Sequence, residues 1–267
     1  FDKVHIKLEM RCKWYFLSMK NNKNSVWGSV ASKLAKTKHL HLSAKKEMFK
    51  GHCFPKSIIL HAVYLKLRYG LSYRDIEELL AIRGVKVDIA TIQRWVFKFA
   101  PLVELQFRKR KKSVGKRWRM DETYIKVKGE WWFLYRAVDK EGNTVDFLLT
   151  KRRQPISAHK FLIKAIADNG RPELINIDKS SANSSAIKLY NRRNCSKIKI
   201  RQCKYLNNMV EQDHRIIKWR IIQGLGFKEF ESAKRTIAGI EIVRMLKKDQ
   251  LLNPKNSTYR FFISLAS

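Results

Sequence analysis

The chain has 267 residues, of which 45% are hydrophobic, and its 57 Lys and Arg against 23 Asp and Glu give a formal net charge of +34. This apolar content is high enough to bury a core, which excludes a disordered polycation. So large a positive charge predicts a polyanionic partner, and nucleic acid is the first candidate. There is no apolar run of about 18 residues and no signal-peptide pattern, so we expect a cytoplasmic protein that does not use a membrane.

The first 47 residues are rich in Lys and Arg and show little periodic apolar pattern. We therefore treat 1–47 as a basic segment of uncertain order and assign no function to it. The chain begins with Phe1, and Met10, Met19 and Met48 are candidate translation starts. The four cysteines form no C-x-x-C pair, which argues against a zinc ribbon and against a disulfide framework.

Residues 48–101 have the periodicity of three short helices. The first is expected to stop at Gly70, and the second to begin with a capping box at Ser72. The third is expected to begin near Asp88 and to close at Pro101. Its outward-facing polar and basic positions, which we assign to DNA contact, are Thr91, Gln93, Arg94 and Lys98. The pattern is typical of a helix-turn-helix domain; an ordinary three-helix bundle would share it, and the net charge favours DNA binding.

A basic linker is expected to follow at 102–116. The stretch RKRKKSVGKRWR at 108–119 holds eight basic residues and no acid. Such a segment suits contact along a phosphate backbone. A solvated hinge would have the same composition, and the two interpretations are compatible.

A second domain is expected at 117–250. Its first part has three β-rich runs separated by the turn sequences Lys128-Gly129 and Glu141-Gly142-Asn143, which predicts an antiparallel meander. Helical and strand-like segments then alternate up to a helix at 209–222. This order predicts an α/β domain with a mixed sheet flanked by helices. The remaining residues, 251–267, are treated as a C-terminal tail.

Three acidic residues lie where a catalytic site is expected. Asp121 interrupts an apolar strand, and Asp178 ends another strand, where open α/β sheets place their ligand crevices. Glu211 lies in the first turn of the helix at 209–222. Three converging carboxylates would repel one another unless a cation neutralised them. Their hard oxygen ligands suit two Mg²⁺ or Mn²⁺ ions, the arrangement that performs phosphoryl transfer on nucleic acids.

The pattern alone leaves other acids open. Glu122 follows the first acid directly and points to the opposite face of the strand, so only one of the two can face the site. Asp213 lies near the buried stripe of its helix and is expected to pair with a basic side chain. Asp139 and Asp146 fit structural positions at a turn and in a strand. His214 could be a ligand or a proton shuttle, but a surface histidine near phosphate is at least as common, so we leave it outside the metal set.

Three tryptophans have two possible roles. Trp131, Trp132 and Trp219 could stack on extruded bases, as aromatic side chains do in proteins that bind single strands. Tryptophan in strands and amphipathic helices is more often part of the core. We therefore expect all three to be core residues.

Several long motifs occur in one order along the chain: LSYRDIEELLAIRGVKVDIATIQRW, MDETYIKVKGEWWFLYRAVDKEGNTVDFLLTKRR, NIDKSSAN, KYLNNMVEQDHRIIKWR and LGFKEFESAKRTIAGIEIVRML. Over roughly residues 50–248 the sequence resembles the insertion-sequence transposases of the IS-six family. The resemblance implies an RNase H-like, retroviral-integrase-like catalytic domain preceded by an all-α helix-turn-helix domain. It also implies that the metal-binding carboxylates are Asp121, rather than Glu122, with Asp178 and Glu211.

The resemblance implies further site residues and shows two departures. A Lys or Arg downstream of the glutamate is expected to contact DNA; we assign Lys218, with Arg215 as its neighbour. Ser180 and Ser181 stand where relatives usually have Ala-Pro. The last two acids are 33 positions apart, slightly fewer than the family pattern suggests. Neither departure removes a carboxylate.

A DNA transposase is the function that the resemblance implies. Such a protein would bind the terminal inverted repeats of its element and join them to double-stranded target DNA, working as a homo-oligomer. A non-catalytic DNA-binding protein, or a decayed transposase acting as a repressor, is the alternative. A structure-selective nuclease that cuts without joining is a second rival.

Overall fold

The computed structural model describes residues 49–203, 205–224, 226–252 and 257–265. The chain divides into one unit of residues 1–53 and another of residues 54–267. The basic segment predicted at 1–47 lies outside the described residues. All the helices and strands below belong to the second unit.

The second unit opens with helices α1 (Lys56–Tyr69), α2 (Tyr73–Ile82) and α3 (Ile89–Arg110). The three local signals predicted for them are confirmed. The chain leaves α1 at Gly70, which has a φ of 70°. The Ser72 hydroxyl accepts from the Asp75 N–H, and the Asp75 carboxylate accepts from the Ser72 N–H, which completes the capping box. At the start of α3 the Asp88 carboxylate accepts from the N–H of Thr91 at 2.9 Å.

The predicted end of the third helix at Pro101 is wrong. Helix α3 is 22 residues long and runs through this proline to Arg110, so most of the predicted linker is helical. Proline removes one backbone hydrogen bond from a helix. Packing outweighs that loss, because Phe99, Val103 and Phe107 on both sides of Pro101 are fully buried.

Two of the basic residues at the end of α3, Arg108 and Lys111, are engaged within the protein. Arg108 donates to the carboxylates of Glu104, Asp146 and Asp168 at 2.8 to 3.0 Å. Lys111 donates to the backbone carbonyl of Val145 and to a neighbouring side-chain amide. These contacts join α3 directly to the sheet domain.

In the part of the chain that the structure describes, five strands form one mixed sheet in the order β3-β2-β1-β4-β5. The predicted meander is confirmed, with β1 (Arg117–Val127), β2 (Glu130–Asp139) and β3 (Thr144–Thr150) paired antiparallel. Strand β4 (Leu174–Ile177) pairs parallel with β1, and β5 (Lys199–Gln202) pairs parallel with β4. The β1–β2 turn is built by Lys128 and Gly129, which both have positive φ.

Helices cover both faces of this sheet. Helices α4 (Pro155–Asn169) and α5 (Ser181–Arg193) cover the face on which Trp118 and Met120 point into the core. A 3₁₀ turn (Tyr205–Asn207) leads into α6 (Asn208–Gln223), which packs with α7 (Phe230–Lys247) on the other face. The predicted α/β class, a mixed sheet flanked by helices, is thus confirmed, while the helix-turn-helix character of α1–α3 stays a prediction.

The predicted C-terminal tail contains a packed helix, α8 (Thr258–Leu265). Phe262 is fully buried and its ring lies 5.3 Å from that of Tyr64 on α1. The segment therefore contributes to the core of the α1–α3 region. Within the described residues, no helix combines the length and the apolar character needed to span a membrane.

Gly70 marks a close approach between α1 and α6, which predicts a measurable loss on substitution. A Cβ at this position would lie 2.8 Å from the backbone oxygen of Arg220, and φ is positive. We expect Gly70→Ala to lower the free energy of unfolding by about 2 to 3 kcal/mol in urea denaturation. Gly84→Ala is the control: φ there is 76° but the space around the Cβ is open, so only about 1 kcal/mol should be lost. Equal losses would contradict the close approach.

Candidate active site

Asp121 and Glu122 point to opposite faces of β1. The Asp121 carboxylate faces α6, where His214 Nδ1 lies 3.5 Å from its Oδ2. Glu122 faces α5 instead and accepts hydrogen bonds from Arg153 and from the Asn183 side chain. The alternation of the strand therefore directs Asp121, and not Glu122, towards the helix that carries the third acid.

Asp178 follows β4 immediately and reaches the same edge of the sheet. Because β4 pairs with the start of β1, with Asn176 opposite Arg119, the end of β4 lies beside Asp121. The Asp178 carboxylate accepts a hydrogen bond from the Ser180 N–H at 2.9 Å. This is the crevice position at the carboxyl end of a parallel strand.

Glu211 lies on the first turn of α6, whose start is held against the sheet by Asn207. This buried amide accepts from Asn176 Nδ2 on β4 at 2.7 Å and donates to the backbone oxygen of Met120 on β1 at 3.4 Å. Asparagine before a helix commonly caps it, but the Asn207 side chain makes no capping bond. Asn207 instead connects the three elements that carry the carboxylates. The only sign of this role in the sequence is the polar residue Asn176 within an otherwise apolar strand.

The pKa of Asp121 reflects its burial and the acidic residues around it. Burial raises the pKa of Asp121 to about 7, and the negative charges of Glu122, Asp178 and Glu211 add to the effect. A carboxyl group whose ionised form is disfavoured by its neighbours is one that a cation would stabilise. The chemistry of this donor set therefore fits a divalent ion.

The side chains are not drawn together around a single ion. Among the described residues, no group of three or more His, Cys, Asp and Glu side chains lies close enough to hold a metal. Divalent metal ions bind carboxylate oxygens at about 2.0 to 2.6 Å. Binding would therefore require Asp178 and Glu211 to close towards Asp121.

Comparison with known proteins establishes the family. A family model described as a DDE domain matches residues 115–250. The transposase for insertion sequence element IS257 in transposon Tn4003 of Staphylococcus aureus is 41% identical over 207 residues, which make up 75% of this chain and 88% of that protein. The transposase for insertion sequence-like element IS431mec of S. aureus strain Mu50 matches to the same extent. The chain belongs to the DDE transposases of the IS-six family.

Among solved structures, the HTLV-2 integrase catalytic core domain in complex with magnesium (trimeric form) is 18% identical and has a TM-score of 0.40 over 57% of this chain and 99% of that chain. The mixed sheet and flanking helices of the transposase agree with the α/β architecture that the sequence predicted. Its family membership makes the chain a DNA transposase, a member of a class of enzymes that cut and join DNA.

Asp139, Asp146 and Asp213 have structural roles, as predicted. Asp139 is buried at the β2–β3 turn and accepts from the backbone N–H groups of that turn. Asp146 pairs with Arg108 and Lys164. Asp213 has three basic partners, which are Arg136, Arg244 and Lys248.

Asp213 belongs to a buried ionic cluster behind the site. Arg136 and Glu241 are fully buried and form an ion pair that joins β2 to α7. Arg136 also lies 3.6 Å from Asp213, which is on the same helix as Glu211. In β2 Arg136 stands directly opposite Asp121. The cluster therefore supports the helix and the strand that carry two of the three carboxylates.

His214 is buried, which corrects its interpretation as a surface residue near phosphate. Burial, with smaller effects of Arg136 and Lys218, lowers the pKa of His214 to about 3. The imidazole is therefore neutral at pH 7. It fills the space between the Asp121 carboxylate and the ionic cluster.

The residues assigned to DNA contact lie on two helices. On α6, Arg215 is exposed and Lys218 is half-buried, on the same side as Glu211. On α3, Gln93, Arg94 and Lys98 are exposed. The fourth α3 residue, Thr91, donates its hydroxyl hydrogen to Asp88 at 2.6 Å and so takes part in the helix cap.

The prediction that three tryptophans are core residues is wrong for two of them. Trp131 is 60% exposed and Trp219 is 53% exposed. Trp132 is half-buried and stacks on Phe230 at a centroid distance of 4.5 Å. Trp131 lies at the end of the β1–β2 hairpin, and Trp219 borders a groove between α6 and α7.

Proposed function

We propose that the transposase binds the terminal inverted repeats of its insertion sequence and joins the strand ends to target DNA. In this proposal Asp121, Asp178 and Glu211 bind two divalent ions, Mg²⁺ or Mn²⁺. The observation that supports it best is the raised pKa of Asp121, which burial and the neighbouring carboxylates cause. A buried carboxyl group whose ionised form is disfavoured, at the crevice edge of a mixed sheet, suits a metal-dependent site.

Bound ions would activate a water or a 3′-hydroxyl group and stabilise the leaving 3′ oxygen. The residues of the chain hold and orient the reactants. Asn207 keeps the start of α6 against the sheet, so that Glu211 stays opposite Asp121 and Asp178. Lys218 and Arg215 would hold the phosphates that pass along α6.

Recognition of the terminal repeats is assigned to α2 and α3. The exposed side of α3 carries Gln93, Arg94 and Lys98, and basic and amide side chains of this kind read base edges and phosphates. The other end of α3 is bonded to the sheet through Arg108. A repeat bound on α3 would therefore have a defined position relative to the carboxylates. We infer that the protein acts as a homo-oligomer, since two element ends must be joined.

Removal of metal tests this function. The full chain is incubated with labelled terminal-repeat DNA and a supercoiled target plasmid in Mg²⁺, Mn²⁺ or EDTA. We expect joined products in either metal, none in EDTA, and recovery when metal is restored. Cut but unjoined DNA would favour the nuclease. Repeat-specific binding without any metal-dependent nicking would favour the repressor.

A further inference from the structure

The β1–β2 hairpin extends beyond the rest of the sheet at the edge where the carboxylates lie. Strand β4 pairs with β1 only over Arg117–Arg119, whereas β1 and β2 stay paired as far as Val127 and Glu130. On one face of the extension Tyr124 lies opposite Phe133, and Lys126 lies opposite Trp131. We call Tyr124, Lys126 and Trp131 the hairpin platform.

Aromatic surface on the platform is open to solvent. Trp131 is 60% exposed and Tyr124 is 47% exposed, and their rings meet edge to face at 6.3 Å. Large aromatic side chains are normally buried, and such exposure of two neighbouring rings marks a binding surface. The platform is therefore a candidate binding site outside the carboxylate cluster.

The hairpin is held in place from its opposite face. Trp132 stacks on Phe230 at the start of α7 with an interplanar angle of 22°. The Lys128 N–H donates to the backbone oxygen of Phe227 at 2.8 Å. Trp131 is thus exposed on a strand whose position is fixed by these contacts, so its ring is pre-organised for a ligand.

The charge around the platform points to nucleic acid. Lys126 Nζ lies 5.8 Å from the centroid of the Trp131 ring, and Lys128 and Arg152 are exposed near the ends of the paired strands. Lys151 lies over the Trp132 ring on the opposite face. The only acid on the hairpin tip, Glu130, pairs with Lys151 at 3.4 Å. Exposed rings among basic residues suit bases and phosphates, whereas an apolar protein partner would leave these cations buried without counter-charges.

The platform is within a few nucleotides of the carboxylates. Tyr124 is three residues and the Lys126–Trp131 pair five residues beyond Asp121, or about 10 to 17 Å along the strand. Arg153 lies close enough to interact electrostatically with both Tyr124 and Asp178. Tyr124 and Lys126 lie on the face of β1 that carries Glu122, opposite the face of Asp121. A DNA strand leaving the site would therefore reach the platform around the edge of β1, which β4 leaves unpaired beyond Arg119.

We propose that the hairpin platform binds unpaired nucleotides of the DNA strand next to the reacting phosphate, by stacking their bases on Trp131 and Tyr124. Lys126 holds the adjoining phosphate. The inference rests on the proposed function in one respect, that DNA occupies the carboxylate edge. The binding itself needs no metal and no chemistry, so it can be tested separately.

A base-deletion cycle tests the platform. The affinity of the full chain in EDTA is measured by fluorescence anisotropy for a terminal-repeat duplex with a five-nucleotide 3′ overhang, and for the same duplex with an abasic overhang. Stacking should make the base-containing overhang bind about 5-fold to 150-fold more tightly per stacked base. In Trp131→Ala this difference should largely disappear, and in Trp131→Phe most of it should remain. Trp219→Ala, which removes an exposed tryptophan elsewhere, should leave it unchanged.

The contribution of the Lys126 charge to binding is measured separately, from the salt dependence of the affinity. Lys126→Gln should reduce the slope of log affinity against log salt by about one while keeping the base dependence. Equal affinity of the wild-type chain for the two overhangs would overturn the proposal. It would also be overturned if Trp131→Ala weakened both by the same factor, or if Trp131→Ala changed the oligomer mass in light scattering and left the base dependence intact. If the platform proposal fails but the wild-type chain still binds a blunt repeat duplex and joins DNA in Mg²⁺, the proposed function is unaffected. If the wild-type chain binds no duplex at all, the platform proposal and the proposed function are both contradicted.

Discussion

The Asp121→Asn variant is expected to lose strand transfer by about 1,000-fold or more, equivalent to about 4 kcal/mol of transition-state stabilisation. The substitution preserves the shape of the side chain and removes one charged ligand from the proposed metal site. The measurement is the initial rate of joined-product formation in Mg²⁺ at saturating DNA. The same loss is expected for Asp178→Asn and Glu211→Gln, since all three carboxylates hold the same ions.

Glu122→Gln is the matched control for Asp121→Asn. The two acids are adjacent in sequence, but Glu122 faces α5 and is paired with Arg153 and Asn183. We expect its variant to keep strand transfer within about tenfold of wild type. A second readout is the melting temperature, which saturating Mn²⁺ should raise in wild type and Glu122→Gln but not in Asp121→Asn. Loss of activity and of the metal-dependent shift in Glu122→Gln alone would show that the ligand assignment on β1 is wrong.

The Arg136→Met variant is expected to lose about 3 to 5 kcal/mol of free energy of unfolding. Arg136 is fully buried, and its removal would leave the Glu241 carboxylate in the core without its ion-pair partner. Burial already raises the pKa of Glu241 despite the opposing effect of Arg136. Urea denaturation followed by circular dichroism measures the loss.

A double variant separates the ion pair from simple packing. Arg136→Met with Glu241→Met removes both charges and keeps side chains of similar length, so it should recover much of the lost stability. Asp213 retains Arg244 and Lys248 in either variant. Lys116→Met, which removes an exposed ion pair with Glu173, should have little effect. A double variant less stable than Arg136→Met would contradict the pairing described here.

Predictions that depended on short-range chemistry agree with the structure. The capping box at Ser72 and the Lys128-Gly129 turn formed where they were predicted, because each is decided by a few neighbouring backbone and side-chain groups. The α/β order of the second domain also followed from local periodicity. The sequence placed Asp121, Asp178 and Glu211 on or at the end of two strands and on a helix. The structure has Asp121 on β1, Asp178 directly after β4 and Glu211 on α6.

Predictions that needed knowledge of neighbours failed where packing decided the outcome. Pro101 was expected to end a helix, but buried residues on both sides carry α3 through it. Arg108 was expected to face phosphate. It pairs instead with Glu104 on the preceding turn of α3 and with two acids that are distant in sequence. Charge composition cannot reveal such partners, because they are brought close only by the fold.

The sequence by itself determined which residues could form the site: three acids, their spacing along the chain and the elements that carry them. The tertiary structure decided which face of β1 carries Asp121, how Asn207 joins α6 to β1 and β4, and which tryptophans remain exposed. The reason is physical. Helix starts and turns depend on bonds within a few residues, whereas facing, burial and ion pairing depend on strands and helices that meet only after the chain has folded.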